Sequence, residues 1–153
     1  MGYGGDIVCD PSKTTTVIGK FNDKADGGGT SEIINSGVYK VGENQGGINV
    51  LNLEDLGFDP SVMSPVEKWS ENASWLDDAI ARGDIIRSIS NPFDNRNLYR
   101  RNNQGLFLNS SGEIISELDL LTEGVETYYK QERDYLQSAG YIYNATDAVW
   151  FLP

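Results

Sequence analysis

Arg82-Gly83-Asp84 is the first stretch whose residue types could do chemistry. Arg82 carries the planar fork that holds a phosphate or pyrophosphate, and Asp84 follows at what reads as a strand start. The same three residues also suit a plain helix exit, where Arg complements the dipole, Gly caps and Asp opens the strand. Thr14, Thr15 and Thr16 set hydroxyls alternately on two strand faces, where they could bind phosphate or ribose. Such runs are equally ordinary in half-exposed strands. Asn49 and Asn52 carry amides that could read a base or a nicotinamide carboxamide. They face opposite sides of an ideal strand, so only a bulge would bring both to one site.

Glu132 lies among Tyr128, Tyr129, Tyr135 and Leu136 on a half-apolar helix face. Partial desolvation there lifts a carboxyl toward the range useful for acid–base work. A surface glutamate with its stem on apolar neighbours is the plainer account. Asn72 stands mid-helix between Trp69 and Trp75-Leu76. It is a poor helix former on the buried side, which points either to a core hydrogen bond or to function.

Two mechanisms fit these residues. For a ribonuclease without histidine or metal, Glu132 or Asp84 would deprotonate the 2′-hydroxyl. Arg82 and the Thr hydroxyls, Thr15 included, would then stabilise the phosphorane. For an NAD-consuming enzyme, a glutamate would stabilise an oxocarbenium-like ribose, Trp69 or Tyr129 would stack on nicotinamide, and Arg82 would hold the pyrophosphate. The candidate catalytic set is therefore Glu132, Arg82, Asp84 and Thr15, with Thr14, Thr16, Asn49, Asn52 and Asn72 for substrate binding.

The 153 residues suit one domain able to bury a core. Twelve basic against 23 acidic residues leave a net charge of −11. That opposes free-standing binding to nucleic acid, since phosphate contact depends on Lys and Arg releasing counterions. It permits a small-molecule substrate, a basic partner, or RNA presented by another protein; DNA is not expected. Arg96, Arg100 and Arg101 form the one cationic cluster. A single Cys9 and the absence of His exclude an internal disulfide, a structural zinc site and His-based nucleophilic catalysis. No metal or cofactor is expected. No apolar run approaches a membrane span, and the N-terminus lacks a signal-peptide pattern. The Met1-Gly2-Tyr3-Gly4-Gly5 start reads as that of a domain cut from a longer chain.

The elements that must position these residues are legible. Residues 1–13 read as a Gly-rich arm ahead of a domain over 14–153, and Thr14–Phe21 as a strand. A loop over 22–30, a short strand Val38–Val41 and a strand Ile48–Leu53 follow. Ser64 as N-cap, Pro65 at the first helical position, Glu67 for a capping box and Gly83 as stop delimit a helix of about 18 residues. Its inner face is expected to carry Trp69, Ala73, Leu76 and Ile80, with Val66 at the leading edge. Asp84–Ser90 is the next strand, residues 93–112 a loop or partial helix, and Glu113–Leu121 a short helix. A second amphipathic helix spans Glu126–Ala139, and a hairpin turning over Asn144–Asp147 ends the chain. The expected fold is α/β or α+β: a small mixed sheet of about five short strands with two or three helices.

Four segments together resemble the C-terminal toxin domains of polymorphic bacterial toxins, carried by Rhs-repeat and contact-dependent growth inhibition proteins. They are Thr14–Gly19, Gly46–Asn52, the series Trp69, Asn72, Trp75, Leu76, Asp77, Ala79, Ile80, Arg82-Gly83-Asp84, Ile86, and the series Thr127, Glu132, Tyr135, Leu136, Gly140-Tyr141. In the last of these Lys130 and Gln131 stand where the pattern has Gly and Arg, which leaves any contact made by that Arg without its residue here. The resemblance adds Thr127 to the substrate-binding set. It implies delivery as part of a larger toxin, action in the target-cell cytoplasm and neutralisation by a cognate immunity protein. The activity it implies is enzymatic: a ribonuclease, commonly against tRNA that a host factor such as elongation factor Tu can present, or an NAD-consuming enzyme. A non-enzymatic acidic binding module is the remaining alternative.

Overall fold

Ser64 opens the longest element of the structure, a computed structural model that describes residues 13–20, 29–30, 47–54 and 56–153. The expected arm up to residue 12 with Cys9, the loop over 22–28 and the strand Val38–Val41 lie outside the described residues. Helix α1 (Pro65–Arg82) begins with the full capping box: Glu67 N–H donates to Ser64 Oγ at 3.1 Å and Ser64 N–H to Glu67 Oε1 at 3.3 Å. It ends at Gly83, whose φ of 76° is left-handed, and Gly83 N–H returns to the Ile80 carbonyl.

The buried face of α1 is Asn72, Trp75, Leu76 and Ala79, a rotation away from the expected stripe. Trp69, Ala73 and Ile80 are only half-buried, and Val66 is exposed. Asn72 accounts for the shift. A polar residue weighs against its own face in an apolar count, yet this one is turned inward to meet Glu132.

Strands β1 (Thr15–Ile18), β2 (Ile48–Val50), β3 (Ile85–Ser88), β4 (Ile142–Asn144) and β5 (Val149–Phe151) form one mixed sheet in the order β2-β1-β3-β5-β4. Thr15 pairs with Ile48 on one side and Ile85 on the other, both in parallel, and the terminal hairpin adds two antiparallel strands beyond β3. Helix α2 (Tyr128–Ser138) starts at Thr127, whose Oγ1 accepts from Lys130 N–H at 3.1 Å. Both long helices cover the same sheet face: Ile18, Ile86 and Trp150 meet Trp75 and Leu76 of α1 and Tyr129 and Leu136 of α2. Thr15, Val17 and Val50 alternate to the opposite face and are buried too, as parallel strands require.

The expected helix over Glu113–Leu121 starts later than its sequence suggests. Ile114 pairs with Leu108 in a short bridge, and helical turns run only over Glu117–Asp119 and Leu120–Glu123. Ser116 caps that turn through a bond from Leu118 N–H, fixing the start four residues late.

Candidate functional site

β1 has a parallel partner on each side, so strand order reverses there, and the crevice outside the carboxyl ends of such strands is where α/β sheets bind ligands. A cavity of about 610 Å³ opens at that end of the sheet. Ile18, Gly19 and Lys20 leaving β1, with Leu51 and Asn52 leaving β2, build one wall. Lys68, Asn72 and Trp75 of α1 build a second. Thr127, Tyr128, Tyr129 and Glu132 close a third, and Arg96, Arg100 and Arg101 line the remainder.

Glu132 and Asn72 are each only 5 % exposed. Burial pushes the Glu132 carboxyl up to about 8, and the Asn72 amide beside it pulls only part of the way back. The Asn72 Oδ1 atom is itself buried and has no hydrogen-bond partner among the described residues. Trp75 presents its ring with a fixed orientation, because its Nε1–H donates to Asn49 Oδ1 at 3.2 Å. Arg100 lies over the Tyr128 ring, 5.9 Å from its centroid.

Tyr129 serves the frame. Its hydroxyl donates to the Ser90 carbonyl at 2.7 Å, so the Ser88 Oγ–H at 2.6 Å must donate to it. Ser88 Oγ accepts in turn from Trp150 Nε1–H at 3.2 Å. Burial raises the phenol's pKa, which keeps it neutral. Thr127 is likewise committed, since Oγ1 donates to the Asn97 carbonyl at 2.8 Å besides capping α2.

A second polar cluster occupies the amino end of the same strands. Arg82 grips both Asp84 oxygens, at 2.8 and 3.3 Å, and Thr16 Oγ1 donates to Asp84 Oδ2 at 2.8 Å. Asn49 Nδ2 donates to Thr16 Oγ1 at 3.0 Å. The result is a continuous strut from the helix exit through β1 and β2 to Trp75.

No protein-family model, curated protein or solved structure matches the chain.

Of the residues singled out from sequence, Glu132, Asn72, Thr127 and Asn52 line the cavity. Arg82, Asp84, Thr14, Thr15, Thr16 and Asn49 do not. β2 ends at Val50, so Asn52 falls beyond the strand while Asn49 stays inside the core. Trp69 does not line the cavity but stands edge-on to Tyr135, with centroids 6.1 Å apart. Sequence reasoning passed over Lys20, Lys68 and Trp75. The Arg96/Arg100/Arg101 cluster was the one signal that could have led to them.

Proposed function

We propose that this chain is the toxin domain of a polymorphic bacterial toxin and cleaves RNA, with tRNA as its target, until a cognate immunity protein neutralises it. The observation that carries the reading is a buried carboxyl, Glu132, inside a cavity whose lining collects Lys20, Lys68, Arg96, Arg100 and Arg101. Those are five of the chain's twelve basic residues, gathered in one place in a protein of net charge −11.

Each group has a role. A carboxyl pushed up to about 8 is poised near neutral pH, where an acid–base catalyst is most effective. Ionised Glu132 takes the proton of the ribose 2′-hydroxyl, whose oxygen attacks the adjacent phosphorus. The bond from phosphorus to the 5′-oxygen of the next nucleotide breaks, that oxygen takes a proton from solvent, and a 2′,3′-cyclic phosphate remains. Arg and Lys side chains offset the charge that builds on the phosphorane oxygens. The half-buried Tyr128 ring, which lines the cavity, offers a face for a base.

The purified chain is incubated with total tRNA and with NAD. Shortened tRNA bearing 2′,3′-cyclic ends, with NAD intact, is the expected result. Loss of NAD with intact RNA sinks the nuclease reading, and harmless expression in a bacterium lacking an immunity partner sinks the toxin reading.

A further inference from the structure

We infer that Asn72 and Glu132 together form a hydroxyl-recognition point in the cavity, which takes the ribose 2′-hydroxyl and discriminates against the 2′-deoxy sugar. The inference rests on the ribonuclease reading for the identity of the sugar.

An asparagine side chain has two N–H donors and a carbonyl oxygen. In this cavity the Asn72 amide lies beside the Glu132 carboxyl, near enough to lower its pKa against the effect of burial. Its Oδ1 is buried and unpartnered among the described residues. A buried carbonyl without a donor is costly and uncommon in folded proteins. Asn72 is one of the residues lining the cavity, so a ligand drawn in against that wall is the available source of the missing hydrogen. The neighbouring Glu132 is held protonated by burial around neutral pH, so its O–H is a donor. An acceptor and a donor side by side match a hydroxyl, which gives and accepts a hydrogen bond through one oxygen.

The rest of the cavity places a sugar there. Arg100, Arg101 and Lys68 line the same space as the half-buried Tyr128 ring, so phosphate and base each have a counterpart, and ribose is the piece that joins them. When Glu132 loses its proton, the hydroxyl hydrogen passes from Asn72 Oδ1 to the carboxylate. Asn72 thus holds the nucleophile beside its base before reaction.

The test is titration calorimetry of the full chain at pH 7 with the four ribonucleoside 5′-monophosphates and their 2′-deoxy counterparts. At least one ribonucleotide is expected to bind about tenfold or more tightly than its deoxy form, the effect of leaving a buried acceptor unpaired. In Asn72→Leu the two forms should bind alike, through loss of ribonucleotide affinity rather than gain for the deoxy form. Asn72→Ser serves the same purpose if the leucine variant does not fold. Equal affinities in the parent chain overturn the inference and mean that Asn72 Oδ1 closes on the Glu132 proton instead. Failure of every nucleotide to bind overturns it as well, as does an undiminished preference in the variants. Cleavage of tRNA is scored separately. A ribose preference that depends on Asn72 without any cleavage overturns the ribonuclease reading alone, and cleavage without the preference overturns the recognition alone.

Discussion

Glu132 is a residue whose usefulness and cost have the same cause. Unfolded, it ionises near the ordinary 4.5; folded, it holds its proton to about 8. Between those two values the unfolded chain has released a proton that the folded chain keeps. Stability therefore falls as pH rises from about 4.5 to about 8 and levels off beyond. Glu132→Gln keeps an oxygen for Asn72 and removes the charge, so it should abolish that slope. Urea unfolding should show the variant more stable than the parent at pH 8, by on the order of a few kcal/mol, and similar at pH 5. Parallel slopes in the two proteins would show that Glu132 is not the buried acid. Activity runs the other way. Cleavage by the parent should rise with pH until about pH 8, as the base form fills, and Glu132→Gln should lose about 100-fold or more. Both Glu132 and Asn72 were legible in the sequence for one physical reason: each is a polar residue set on an apolar helix face, and each meets the other. The cations were harder to read, because Lys20, Lys68 and Arg101 come from three separate segments and only folding brings them together.

At the scale of elements, signals confined to a few neighbouring residues survived folding and those needing a partner did not. Ser64, Pro65, Glu67 and Gly83 delimit α1 through bonds within its own first and last turns. The rotation of its buried face depended on α2, which no count along α1 contains. Arg82-Gly83-Asp84 shows the same limit. Its types suggest phosphate chemistry, yet the Asp84 side chain is only 2 % exposed and both of its oxygens are taken by Arg82 and Thr16. Arg82→Ala would leave a buried carboxylate with Thr16 alone. The expected cost is about 1–3 kcal/mol of stability, discounted because Arg82 keeps 23 % of its side chain in solvent. Thermal unfolding should register that loss, while the folded variant keeps kcat/KM for RNA near the parent value, since Arg82 lies outside the cavity. A folded Arg82→Ala with normal stability and no activity would move the site to the amino end of the sheet.

For the whole molecule, the parallel strands have two differently charged ends. At their amino end the Arg82–Asp84 pair neutralises itself inside a hydrogen-bonded strut. At their carboxyl end five cations line one cavity, Arg96 among them paired with Asp94 at 2.7 Å, and the acids in the lining are Glu54 and Glu132, the latter neutral through burial. A chain of net charge −11 that binds RNA there must do so through that local field, against the repulsion of the remaining surface. Binding should therefore be steeply salt-dependent. For single strands each neutralised phosphate contributes about −0.7 to the slope of log K against log salt, so the five cations set a limit of about −3.5, reached only if phosphate displaces Asp94 from Arg96. Replacing Arg100 and Arg101 together by Ala should lower its magnitude by about 1.4, with affinity for all RNA sequences reduced alike. Fluorescence anisotropy of a labelled oligonucleotide with the cleaving 2′-hydroxyls methylated, over a series of salt concentrations, measures both slopes. An unchanged slope in the double variant would mean that the polyanion docks elsewhere, and would detach the cationic lining from the chemistry assigned to Glu132.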